Sequence, residues 1–195
     1  MAAGLSRRCP PGKMLLPWGD SCVVASTVGN LLSAGLDRTL VVVGHEAGKV
    51  KEALAGLGAR IVFNPGYRQG MGTSVVAGLE AVLADPELAG ETGMLLLPGD
   101  TPFIPSADLA RAAAAYREGK GRIVVASHSF RRGHPVVFSG RFAAELRQAC
   151  LEGEGARQVV RAHPDEVFHL EAGPEVLEDI DTLEDYSRLR RTYNG

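Results

Sequence analysis

Met94–Pro102 reads MLLLPGDTP. Its first four residues, Met94, Leu95, Leu96 and Leu97, are apolar without polar alternation, the pattern of a strand buried on both faces in a parallel sheet covered by helices. Pro98 and Gly99 end that strand. Asp100 is therefore delivered to the carboxyl end of a buried strand, the edge where open α/β sheets bind their ligands. A carboxylate there suits Mg²⁺, which takes one or two carboxylates together with substrate phosphate oxygens. The competing reading is that Asp100 caps a helix beginning near Pro105, or closes the turn before Pro102.

On either side the same alternation repeats. Val23–Ala34 spaces Val23, Val24, Thr27, Val28, Leu31 and Leu32 at helical intervals, with Gly35 placed to end the helix. Thr39–Val43 reads as a buried strand, Glu46–Leu57 as a helix closed by Gly58, and Arg60–Phe63 as a second strand. Helix, strand, helix, strand implies parallel βαβ units. Beyond Asp100, Ser106 is placed to cap an alanine-rich helix reaching about Tyr116, and Arg122–Ser127 is a buried strand. Arg141–Cys150 and Gly155–His163 read as helices and Glu166–Leu170 as a strand. Thr182 with Asp185 has the spacing of a capping box for a last helix.

The 195 residues fit one domain, 1–195, with enough chain to bury a substantial core. With 21 basic against 23 acidic residues and a net charge of -2, no global field draws the protein to nucleic acid or to an anionic membrane, so a bound anion must be gripped locally. Three scattered cysteines, Cys9, Cys22 and Cys150, make neither a disulfide framework nor a zinc pattern and suggest a reducing cytoplasm. No apolar run approaches the roughly 20 residues that span a bilayer. The five histidines lack ligand spacing and there is no GxSxG elbow, so zinc and serine-nucleophile chemistry have no support.

Three further stretches carry candidate chemistry. Ala2–Pro17, AAGLSRRCPPGKMLLP, joins small residues to Arg7, Arg8 and Lys13, a combination that lets backbone N–H groups and basic side chains approach phosphates. It is not a Walker loop, because Met14 stands where Ser or Thr is required; the alternative is a solvated basic terminus. Asn64–Ser74, NPGYRQGMGTS, follows a strand and so shares the edge with Asp100; Asn64, Thr73 and Ser74 can meet a base or phosphate, or Thr73 can simply cap the next helix. In His128–Phe138, HSFRRGHPVVF, the residues Arg131, Arg132 and His134 surround Gly133, either to meet an anionic substrate or as a solvated hairpin tip. Asp181, just before the last helix, is a candidate second metal ligand.

In the order AAGLSRR, GK, NPGYRQGMGTS, LLLPGDTPF, RRGHPVVF, GAR and DIDT, the chain resembles the molybdenum cofactor cytidylyltransferases, a branch of the NTP transferases that also includes molybdopterin guanylyltransferases. The likeness spans nearly the whole chain, and the ordered set is far more specific than any one block. It implies a single-domain, Rossmann-like, three-layer α/β fold with a mostly parallel central sheet. It also implies an Mg-dependent cytoplasmic enzyme that transfers CMP from CTP to molybdopterin, with a molybdenum hydroxylase as a possible recipient of the product and no nucleic-acid or membrane partner. By the resemblance Ala2, Ala3 and Gly4 pass along the nucleotide, Arg8 and Lys13 bind its phosphates, and Thr73 and Ser74 lie in the base and substrate loop. Asp100 and Asp181 match metal-facing carboxylates, Lys13 and Asp100 are the catalytic pair, and Gly133, His134 and Pro135 match the block for the pterin phosphate end. The alternatives are a guanylyl or other nucleotidyltransferase of the same fold, and a non-catalytic cofactor-binding chaperone.

The departures from the pattern are specific. The family carries a complete apolar strand before its AAG, where this chain has only Met1; the expectation is a missing central strand, from a start set too far downstream or a shortened chain. Arg8-Cys9-Pro10 replaces Arg-Met-Gly, which removes one backbone N–H from the cradle, and Gly153 stands where an acidic residue precedes GAR.

Overall fold

The computed structural model describes residues 1–4, 12–86 and 92–193. A short hairpin, Pro17–Trp18 (β1) with Ser21–Cys22 (β2), leads into helix α1 (Val23–Ser33), whose Val23, Val24 and Val28 are buried. Strand β3 (Leu40–Val43) follows, then helix α2 (Ala47–Ala53) and strand β4 (Arg60–Phe63), and β4 lies parallel to β3 with Leu40 opposite Arg60. This is the expected βαβ unit. Helix α2 stops at Ala53 rather than Leu57, because Leu54 ends the helical run and turns carry the chain through the left-handed Gly56 and Gly58.

Helix α3 (Met71–Leu83) begins two residues earlier than Thr73, and strand β5 (Gly93–Leu96) carries Met94–Leu96 of the apolar run, with Leu97 past its end and Leu95 and Leu96 half-buried rather than covered on both faces. Helix α4 (Ser106–Arg117) has Pro105 at its N-cap and no side-chain cap, so neither Asp100 nor Ser106 caps it. Strands β6 (Ile123–His128) and β7 (Arg131–Ser139), helices α5 (Ala143–Leu151) and α6 (Ala156–Ala162), strand β8 (Val167–Glu171) and helix α7 (Leu183–Tyr193) complete the order.

The larger sheet runs β5-β7-β6-β8, with β6 and β8 parallel and β7 antiparallel to both β5 and β6. One reversed strand thus sits inside a sheet whose other members share a direction. The reason is local: β6 and β7 are joined through Ser129 and Phe130 alone, both at positive φ, the two-residue connection that turns a strand straight back on itself. Phe130 at the tip is fully exposed, so Arg131 and Arg132 belong to the strand leaving a hairpin tip.

Between the β3 edge and the β5 edge lies Met1–Ala3. The Met1 nitrogen donates to the Leu97 carbonyl (2.8 Å) and Gly99 N–H to the Met1 carbonyl (2.8 Å), while Ala2 N–H donates to Val42 (2.8 Å) and His45 N–H to Ala3 (3.3 Å). These residues make the ladder contacts of a central strand over one short stretch. Alongside, between the same two edges, is a cavity of 720 Å³ lined by Met1, Leu40, Val42, Leu79, Leu95 and Leu97 among others. Charged residues, Asp37, Arg60 and Arg117 among them, also line it, so it is a cleft that opens toward solvent. Among the described residues no helix is long and apolar enough to cross a membrane.

Candidate functional site

Asp100 leaves the end of β5 on a loop that is braced from outside. Thr27 on α1 donates to the Gly99 carbonyl (3.1 Å), and Asn30, one turn further, donates to the carbonyls of Pro102 (2.9 Å) and Ile104 (3.0 Å). Phe103 and Ile104 sink into the core beside Trp18 and Val23, which pins the far side of the loop. Asp100 is thereby held at the sheet edge with its side chain only 9% exposed.

Lys13 reaches the same point from the N-terminal segment. It opens a 3-10 turn, Lys13–Leu15, in which Met14 is buried against Val24, Val43 and Val50, so the neighbouring side chain anchors the lysine backbone. Asp181 arrives from the other end of the chain. Ile180 is fully buried against Leu97, Ile104 and Leu189, fixing the segment before α7. Thr182 and Asp185 exchange the two bonds of the expected capping box, Thr182 N–H to Asp185 Oδ2 (3.0 Å) and Asp185 N–H to Thr182 Oγ1 (3.1 Å). Capping accounts for Thr182 and leaves Asp181 facing the lysine.

The three side chains meet at one atom. Lys13 Nζ is ion-paired with Asp100 Oδ2 and lies 3.3 Å from Asp181 Oδ1. Burial works against the Lys13 charge, but Asp100 and then Asp181 outweigh it and hold the pKa above the ordinary lysine value. Asp179 shows the opposite effect: desolvation, and then the negative charges of Asp181 and Asp100, raise its carboxyl above the usual range.

His134 lies at the same edge, close enough to Asp100 and Arg157 to feel their charges. Burial lowers its pKa, against the pull of Asp100. Its Nδ1 is buried with no hydrogen-bond partner among the described residues. The adjoining Gly133 is there for packing, since a Cβ at that position would collide with the Val176 backbone. Pro135 follows a cis peptide bond.

The remaining candidates divide. Ala2 and Ala3 are buried between the sheets with the Ala2 N–H committed to Val42, while Gly4 is exposed. Arg8 lies outside the described residues. Thr73 is not an N-cap: its hydroxyl donates to the carbonyls of Gly66 (3.0 Å) and Gly70 (2.9 Å), and Asn64 Nδ2 donates to both Thr73 Oγ1 (2.9 Å) and Ser74 Oγ (3.0 Å). These polar atoms brace the 64–74 loop at the sheet edge. The sequence gives Thr27 only a place on the helix face and gives Asn30 no role; their signal is a polar side chain on a helix that otherwise packs into the core.

Residues 1–167 match the MobA-like NTP transferase domain. A nicotine blue oxidoreductase of Paenarthrobacter nicotinovorans is 29% identical over 97% of this chain and 93% of its own. The molybdenum cofactor cytidylyltransferase of Escherichia coli K12 is 27% identical over 98% of this chain and 94% of its own. Among solved structures, Rv0371c of Mycobacterium tuberculosis superposes with a TM-score of 0.82 at 29% identity, over 97% of this chain and 94% of that one. A second structure of Rv0371c is a complex with manganese, with a TM-score of 0.72 at 26% identity over 93% and 92% of the two chains. The site at the end of β5, the mixed sheet that carries it and a match over residues 1–167 agree, and the chain belongs to the MobA-like NTP transferase domain family.

Proposed function

We propose that this protein is a nucleotidyltransferase that passes CMP from CTP to the terminal phosphate of molybdopterin and releases pyrophosphate. The observation that carries the reading is the meeting of Lys13, Asp100 and Asp181 at a single point, assembled from opposite ends of the chain. A relative named an oxidoreductase is as similar as the one named a cytidylyltransferase, so likeness alone does not choose the reaction. The chemistry of the three side chains supports one reading: two carboxylates around a cation position, with a basic group beside them, fit phosphate transfer.

In the proposed reaction an oxygen of the acceptor phosphate attacks the α-phosphorus of CTP. The bond from that phosphorus to the bridging oxygen breaks, and pyrophosphate leaves with the electron pair. The nucleophile is already an anion near neutral pH, so no general base is required, and catalysis is positioning plus charge neutralisation. Lys13 draws the β- and γ-phosphates toward the sheet edge. His134, whose buried Nδ1 has no partner among the described residues, is the group we assign to the acceptor phosphate.

A divalent metal fits this site, because one cation, the Lys13 ammonium, already stands within reach of both carboxylates. Asp100 and Asp181 would hold Mg²⁺ or Mn²⁺, which supplies charge neutralisation for the phosphates when bound. The test is pyrophosphate release with molybdopterin, Mg²⁺ or Mn²⁺, and CTP, GTP, ATP or UTP in turn. Release with CTP, lost in Asp100→Asn with an unchanged circular dichroism spectrum, is expected. Release with another nucleotide would move the reading to a sister transferase, and binding without release would move it to a cofactor chaperone.

A further inference from the structure

We infer that Lys13 is a gate on the metal position: its ammonium and a divalent cation occupy the Asp100–Asp181 pair one at a time, and a triphosphate opens the gate by drawing the lysine away. The inference rests on the metal and phosphate roles proposed above. Lys13 Nζ is in contact with Asp100 Oδ2 and 3.3 Å from Asp181 Oδ1. Mg²⁺ lies about 2.0–2.1 Å from its oxygen ligands, so an ion shared by these two carboxylates would overlap the ammonium. Both cannot be there.

Charge and solvation say which occupant is favoured in each state. With Lys13 in place the three groups sum to a single negative charge, a poor partner for a divalent ion; with Lys13 withdrawn the two carboxylates match it. The Lys13 and Asp100 side chains are 14% and 9% exposed, so the ammonium is not released to water without a replacement anion. A triphosphate is such an anion. The lysine can follow it, since its charge rides on a flexible four-carbon stem whose base is fixed by the buried Met14. Two carboxylates leave most of a metal's shell to water or to phosphate oxygens, and phosphate oxygens strengthen the binding. Metal and nucleotide thus bind as coupled ligands, each raising the affinity of the other by the same factor.

The discriminating experiment uses inorganic tripolyphosphate in EDTA, which removes both base and metal. Its affinity is measured by calorimetry for the full chain, Asp100→Asn, Lys13→Met and the double variant. The gate predicts that Asp100→Asn frees Lys13 and tightens binding about tenfold, while the same substitution in the Lys13→Met background gains less than about twofold. Equal gains in both backgrounds would mean simple charge removal and would overturn the gate, as would no gain in either or no binding by any variant. Asp181→Asn, at a more exposed carboxylate, repeats the cycle if Asp100→Asn fails to fold. In parallel, Mn²⁺ affinity of the nucleotide-free chain is expected to rise about tenfold in Lys13→Met. An intact cycle without pyrophosphate release from any nucleotide would overturn the reaction proposed above and leave the gate standing.

Discussion

At the scale of single residues the site is made as much by supports as by charged groups. Asn30 makes two hydrogen bonds to the carbonyls of Pro102 and Ile104, and Thr27 one to Gly99, so α1 grips the Asp100 loop at both ends. Asn30→Ala leaves two carbonyls without their donor and is expected to cost roughly 1–3 kcal/mol. If the brace positions Asp100, the variant also loses Mn²⁺ affinity in the presence of CTP; a lower melting temperature with unchanged Mn²⁺ affinity would make Asn30 purely structural. The sequence singles out Lys13, Asp100 and Asp181 because each stands in a recognisable local block, and the fold brings the three together. The bracing roles of Thr27 and Asn30 were not legible, because a polar residue in a helix declares no partner when that partner lies 72 residues away. The 64–74 loop was half legible. Its position at the edge followed from the strand before it, but Thr73 and Ser74 turn out to hold Asn64 rather than to stand open, and nothing local signals that.

At the scale of elements, strands were read more closely than connections. The expected β4 span, Arg60–Phe63, is the observed one, whereas α3 starts at Met71 and α2 ends at Ala53. Termini depend on cap geometry and on what packs beyond them, and Gly70 rather than Thr73 supplies the turn into α3. The reversal of β7 was hidden because Ser129-Phe130 lacks the Asn-Gly or Asp-Gly signature of a tight hairpin. That reversal has a consequence: β7 carries Gly133 and His134 back along the sheet, where Gly133 packs directly on the Val176 backbone. Gly133→Ala must push the 174–177 turn away from β7. A loss of roughly 1–3 kcal/mol is expected, read as a melting temperature lower by about 3–10 °C for a chain of this size. Wild-type stability in that variant would show that the 174–177 turn moves aside without penalty.

At the scale of the whole molecule, two sheets are joined through three residues and a cavity. The Met1 amine is buried at that junction, and burial lowers its pKa from 8.0 to about 6 against the pull of Asp100. Above about pH 8 both folded and unfolded chains carry it neutral. Between pH 8 and about 6 only the unfolded chain takes up the proton, so stability is lost as the pH drops through that window, by roughly 2–3 kcal/mol in total. Below it the two states are protonated alike and this contribution is constant. An amide nitrogen in place of the amine would make the same bond to Leu97 without the charge. Five apolar β-branched residues joined ahead of Met1 are therefore expected to remove the Met1 share of the slope between pH 6 and 8, leaving that of the buried His134. They would also enter the 720 Å³ cavity between β3 and β5 as a strand. Each side chain so buried adds about 1.5–3 kcal/mol, against roughly 1–2 kcal/mol per residue of backbone ordering. The net gain of several kcal/mol corresponds to a melting temperature about 10 °C higher. Five Gly and Ser residues in the same place remove the charge but have no side chains to bury, so they should remove the same share of the slope without the rise in melting temperature. Equal melting temperatures for the two extensions would show that the cavity does not take a strand, and a slope undiminished in both would place its origin in a group other than the Met1 amine.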